Sequence, residues 1–136
     1  MLLKRQATLL DYMKVLIPLL PGQAFDKEFT NQASEGAKEV FILAVIDSDL
    51  MRDSSGQEMG SIASFEEVAE EMVKHLRKKR VTADYSVEWG SLADNVVKRA
   101  KQRQSDKIVI QRVPVSFFKK FADKVREESK TELVVV

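Results

Sequence analysis

The sequence predicts an α/β domain built on an open, parallel, five-stranded sheet with helices on both faces. Three observations carry that expectation. Five apolar runs of strand length, at residues 14–19, 40–46, 81–89, 107–111 and 132–136, are separated mostly by stretches of helical period. Strands that alternate with helices imply right-handed crossovers and hence parallel pairing. Two of the intervening segments also begin with capping-box signatures, Ser64 to Glu67 and Ser91 to Asp94.

Residues 1–12 contain Leu2, Leu3, Leu9 and Leu10, but Lys4, Arg5, Gln6 and Asp11 interrupt them. The segment is too broken for a signal peptide or a membrane span. It is expected to be an N-terminal extension, read as an amphipathic helix, ahead of one domain at residues 13–136. After the first strand, Phe25, Phe29 and Ala33 repeat at helical spacing, and Gly36 is placed to end a short helix. Residues 40–46 are apolar throughout, as a strand covered on both faces should be. Residues 50–63 show no sustained period and form the one long loop, open to reading as a lid or as a disordered insertion.

Phe65, Val68, Ala69, Met72 and Leu76 then mark one face of the firmest helix. In residues 81–89, Val81, Ala83, Tyr85, Val87 and Trp89 alternate with Thr82, Asp84, Ser86 and Glu88, the pattern of a half-buried edge strand. Leu92, Val96 and Ala100 give the next helical stripe, and Phe117, Phe118, Phe121, Ala122 and Val125 the last. Phe117 and Phe118 point about 100° apart on an ideal helix, which leaves one of them for a partner.

A chain of 136 residues is one domain. Twenty-two basic against twenty-one acidic residues produce no whole-protein field toward nucleic acid or an anionic membrane. The absence of cysteine removes thiol catalysis, thiolate metal sites and disulfides, and fits a cytoplasmic location. His75 is the only histidine, and it sits among Lys74, Arg77, Lys78 and Lys79 with no evident acid or nucleophile beside it, so it reads as a solvated helix end. No metal-ligand spacing occurs, and Ser54 and Ser55 lie outside any Gly-x-Ser-x-Gly elbow. The basic runs at residues 77–80 and 98–103 fall near helix C-termini, where positive charge suits the dipole, and neither interleaves aromatics for base stacking.

The layout of residues 13–136, with Gly90 opening a helix, Asp106 to Ile110 as a strand and Leu133 to Val136 as a terminal strand, resembles a universal stress protein domain. The resemblance implies the strand order 3-2-1-4-5, with residues 81–89 at one edge and 132–136 at the other. It also implies a ligand crevice where the strand order reverses, between strands one and four. Asp47 and Gly90 match positions of that family. Elsewhere the chain departs from it. Leu20, Pro21 and Gly22 stand where the first strand commonly ends in Asp-Gly-Ser. Gln111 and Pro114 replace the first two glycines of the phosphate motif, the spacer is shortened, and Lys119 and Lys120 fall at its final Gly-Ser/Thr.

Bare glycine amides are what cradle phosphates in that motif, and proline offers no amide hydrogen. The expected function is therefore a non-enzymatic, homodimeric binding or regulatory domain without the standard ATP site, and no cofactor is expected. Its candidate crevice is Leu20, Asp47, Gly90, Gln111, Arg112 and Pro114, and its dimer interface is Leu133, Val134, Val135 and Val136. The alternative is a nucleotide or small-anion sensor in a rebuilt crevice, using Asp47, Gly90 and Arg112. A third reading is an adaptor for an unidentified protein partner.

Overall fold

The computed structural model describes residues 12–50 and 62–136. In chain order the elements are β1 (Met13–Leu19), α1 (Lys27–Ala33), β2 (Ala37–Ile46), α2 (Ile62–Lys78), β3 (Thr82–Trp89), α3 (Leu92–Gln102), β4 (Lys107–Ile110), α4 (Phe118–Glu128) and β5 (Glu132–Val135). The five strands form one sheet of order β3-β2-β1-β4-β5, with every pairing parallel. Both the fold class and the strand order match the expectation. The expected extension at residues 1–12 lies outside the described residues except for Tyr12, which is exposed and donates its hydroxyl to Glu39 Oε1 at 3.4 Å. Most of the expected loop, residues 51–61, also lies outside them. Among the described residues no helix is long and apolar enough to cross a membrane.

The two-residue period of a strand sends alternate side chains to opposite faces, and β1 and β2 are apolar on both. Val15, Ile17, Leu19, Val40 and Ile42 pack against Phe29 of α1 and against Phe65, Met72 and Leu76 of α2. Leu16, Phe41, Leu43, Ile108 and Ile110 pack against Val96 of α3 and against Phe121 and Val125 of α4. Burying one such large aliphatic side chain contributes about 2 kcal/mol.

Several boundaries shift. Ala33 is the last residue of α1, Ser34 caps it, and Gly36 leads directly into β2 at Ala37. Helix α2 is already formed at Ile62, so Ser64 lies inside it and does not mark its first residue. Gln111 falls just beyond the end of β4. Trp89, expected on the covered face of its strand, is 68% exposed, because it ends an edge strand. Phe117 and Phe118 are both half-buried against the α3/α4 core, so neither is left clear of the domain.

Candidate functional site

β1 is flanked by β2 on one side and β4 on the other, so the chain reverses its direction of travel across the sheet at β1. The crevice beyond the carboxyl ends of β1 and β4 is where open parallel sheets bind ligands.

At the β1 end, Leu20 is fully buried, and the chain turns at once, with Gln23 N–H donating to Leu20 O at 3.0 Å. Gly22 holds φ at +80°, a left-handed conformation that favours glycine. The Gln23 side chain folds back, its Oε1 accepting the Leu20 N–H at 3.1 Å. Only 9% of Gln23 is exposed, and its Nε2 is a buried donor with no partner among the described residues. An unpaired buried donor costs about 1–3 kcal/mol. Gln23 thus packs down over the end of β1. Nothing in the sequence around Gln23 signals this.

At the β2 end, both Asp47 oxygens are occupied by backbone amides. Oδ2 accepts the Leu92 N–H at 2.9 Å, and Oδ1 accepts the Asp49 N–H at 3.1 Å. Asp47 therefore helps cap α3, alongside Ser91, whose Oγ accepts the Asp94 N–H at 3.4 Å as its capping box predicts. Gly90 has φ +125° and donates its N–H to Ile46 O at 3.1 Å. A Cβ there would stand 3.1 Å from Asn95 Nδ2, so the glycine serves the turn from β3 into α3.

After β4, three of the backbone amides are already used. Arg112 N–H donates to Val136 O at 2.8 Å, Val115 N–H to Val113 O at 2.9 Å, and Phe118 N–H to Val115 O at 3.2 Å. Pro114 has none. Gln111 reaches the N-cap of α1, its Nε2 donating to Asp26 Oδ2 at 3.3 Å. The Arg112 guanidinium lies 5.6 Å from the centre of the Phe118 ring.

The six candidate residues are therefore divided. Asp47 lines a cavity of about 180 Å³ with Leu50, Ser91, Phe117, Lys120 and Lys124, between the first turns of α3 and α4. The Asp94 carboxylate beside Lys124, 3.2 Å away, hydrogen-bonds the ammonium and raises its pKa. Gln111 and Arg112 line a separate, open cavity of about 300 Å³ with Asp26, Glu28, Gln32 and Val136. The two carboxylates there oppose capture of an anion by Arg112. Leu20, Gly90 and Pro114 line neither cavity.

His75 corrects its sequence reading. It is half-buried, its Nε2 stands 2.7 Å from Asn31 Oδ1, and its ring meets Phe25 edge-on with centroids 6.0 Å apart. Both basic runs do lie at helix ends, but arginines from both reach the sheet. Arg77 donates to Ala83 O through Nε and Nη2, Arg99 pairs with Glu88, and Arg103 pairs with Glu39 while lying 3.8 Å from the Phe41 ring centre. No group of three or more metal-ligating side chains occurs among the described residues.

An open, doubly wound α/β domain with a switch-point crevice is the class these features define. Its fold is that of the universal stress proteins. The universal stress protein from Archaeoglobus fulgidus in complex with dAMP superposes with a TM-score of 0.65 at 15% identity, covering 91% of this chain and 97% of that one. A member of the family from Burkholderia pseudomallei gives 0.62 at 16% identity, covering 93% and 96%. An Arabidopsis thaliana member with AMP bound gives 0.61 at 13% identity, covering 91% and 90%. No family model matches the sequence, and no curated protein matches it. The likeness is thus one of fold, carried by apolar pattern and topology more than by shared residues.

Proposed function

We propose that this chain is a non-enzymatic, homodimeric binding or regulatory domain of universal stress protein type, cytoplasmic, without the standard phosphate site. The loop after β4 carries the reading. It has no glycine, Pro114 lacks an amide hydrogen, and the Arg112, Val115 and Phe118 amides are spent on chain carbonyls. A triphosphate would find few donors there. The apolar terminal strand supports the homodimer, since Leu133, Val134, Val135 and Val136 stand at a sheet edge that a stable protein must cover.

The bound dAMP and AMP of two proteins of this fold favour the second reading, a nucleotide or small-anion sensor in a rebuilt crevice. Titration calorimetry with ATP and magnesium, and separately with AMP, separates the two. The proposal expects no heat of specific binding for either. A micromolar dissociation constant for ATP, about −8 kcal/mol, would overturn it, and one for AMP alone would establish the sensor reading.

A further inference from the structure

Along the sheet edge opposite β5, where α2 lies over β3, the chain exposes side chains that it does not use itself. Trp89, the only tryptophan, is largely exposed there. It lies on the same face of its strand as Tyr85 and Val87, which pack toward α2. The helix runs antiparallel to the strand: Arg77 reaches Ala83, while Glu70, earlier in the helix, accepts the Tyr85 hydroxyl at 3.1 Å. Glu66, one turn before Glu70, therefore stands toward Trp89. Partial burial first, then the Glu70 hydrogen bond and the charges of Glu70, Glu66 and Asp84, raise the Tyr85 pKa above its ordinary 10.0. Three carboxylates thus act on one point of the edge. Among the described residues Glu66, Glu67, Glu70, Glu71 and Asp84 form no ion pair. Glu66 with Glu70, and Glu67 with Glu71, set like charges at the i,i+4 spacing that weakens a helix. The helix dipole does not offset this, because it acts in the first turn and α2 has no acidic residue there.

We propose that the α2/β3 edge docks a basic segment of a partner protein, whose Lys or Arg side chains meet Glu66, Glu70 and Asp84 and lay one cation on the exposed Trp89 ring. Carboxylates beside an exposed indole are the two groups that hold such cations, the first by ion pairing and the second through its π face. From Tyr85 to Trp89 the strand covers about 13 Å, the length of about four extended residues, so cations at alternate positions of a short segment reach the whole face. Strand addition is not the mode, because Arg77 and Asp84 already hold the outward backbone groups of Ala83 and Tyr85. The carboxylates do not converge on a metal ion either, since no group of three or more metal-ligating side chains occurs among the described residues. Nucleic acid and anionic lipid have the wrong sign. The basic runs of a second copy are the competing occupant, but Arg77, Arg99 and Arg103 are engaged by Ala83, Glu88 and Glu39 within their own chain. The face lies across the sheet from β5, and the inference stands apart from whether β5 pairs or the crevice takes a ligand.

Because Trp89 is the only tryptophan, its emission reports on the face without a label. The full chain is titrated with a capped peptide of alternating Arg and Ser, and separately with the matching Glu and Ser peptide. The Arg peptide should change the emission saturably and bind more weakly as salt is raised, and the Glu peptide should do nothing. Glu66→Gln with Glu70→Gln should weaken binding about tenfold, as the loss of two exposed ion pairs allows. Trp89→Leu, followed by calorimetry, should weaken it about threefold. No saturable response, an equal response to the Glu peptide, or unchanged affinity in the double variant would overturn the proposal. Emission that shifts with protein concentration alone would also overturn it, by giving the face to a second copy. Circular dichroism checks the fold of the double variant. Should it fail to fold, Asp84→Asn, which keeps an oxygen for the Tyr85 N–H, replaces it and should weaken binding about threefold, unchanged affinity again overturning the proposal.

Discussion

At the β3 edge of the sheet, two of the backbone groups that point away from the neighbouring strand are met by side chains of the same chain, whereas at the β5 edge none is met among the described residues. The inward bond from Gly90 N–H to Ile46 O fixes the alternation along β3, so that Ala83, Tyr85 and Val87 turn their backbone groups outward. Arg77 of α2 donates twice to the Ala83 carbonyl, at 3.2 and 3.0 Å, and Asp84 Oδ1 accepts the Tyr85 N–H at 2.8 Å. On β5 the bond from Val136 N–H to Ile110 O turns Leu133 and Val135 outward, and among the described residues no side chain reaches their backbone groups. The side chains differ in the same sense. Thr82, Asp84, Ser86 and Glu88 give β3 a polar face, whereas β5 is Leu133, Val134 and Val135 after a single glutamate. Charge and backbone sealing are the devices by which edge strands avoid pairing, and among the described residues they are concentrated on the β3 edge.

The largest effect expected from this contrast concerns the proposed dimer. An antiparallel two-fold pairing that satisfies the outward groups of Leu133 and Val135 sets Leu133 opposite the partner's Val135 and brings the two copies of Val134 together. That central pair would be of the non-hydrogen-bonded kind, with Cα atoms about 4.5 Å apart, inside the range a disulfide spans. Because the chain has no cysteine, Val134→Cys introduces a single thiol, which should cross-link the dimer on mild oxidation. Val134→Lys with Val136→Lys should instead give a monomer, weakening association at least about 100-fold, or roughly 2.7 kcal/mol. Wild-type protein that sediments as a monomer at tens of micromolar, a range in which modest dimers survive, would end this account of the β5 edge.

How far the sequence could show all this depends on whether local pattern or side-chain reach decides the feature. Alternation in residues 82–88 and the continuous apolar run of β2 report burial directly, so the edge and central strands were legible, as were the α3 cap at Ser91 and the glycine-free loop after β4. The strand order came from resemblance, and the structure agrees with it. What stayed hidden were the contacts of ordinary polar side chains, two of them local, Gln23 on Leu20 and Arg77 on Ala83, and two across the fold, His75 on Asn31 and Gln111 on Asp26. A glutamine or arginine has no spacing that announces its partner. Trp89 was misread for a related reason, because period-two alternation carries no information about where cover runs out at a strand's end.

A smaller effect is expected on the sealed edge. Arg77→Ala removes both donors to the Ala83 carbonyl, and water replaces much of what is lost at an exposed position, so the cost is about 1 kcal/mol. Urea unfolding should show a lower midpoint at unchanged slope. An unchanged midpoint would mean that the double contact contributes nothing to stability, and that β3 is guarded by its carboxylates alone.

The smallest effect belongs to Asp84. Its Oδ1 bonds the neighbouring Tyr85 N–H in an exposed setting, so Asp84→Ala should cost only about 0.5 kcal/mol. Amide hydrogen exchange is sensitive enough to see it, as an increase of about twofold confined to Tyr85, with the rest of β3 unchanged. The same experiment compares the two edges residue by residue. Protection at Tyr85 arises within one chain and should not depend on protein concentration. Protection at Leu133 and Val135 requires a second copy, so their exchange should accelerate on dilution below the dimer's dissociation constant. Concentration-dependent exchange at Tyr85, or concentration-independent protection at Leu133 and Val135, would reverse the assignment of which edge is sealed from within and which is left to pair.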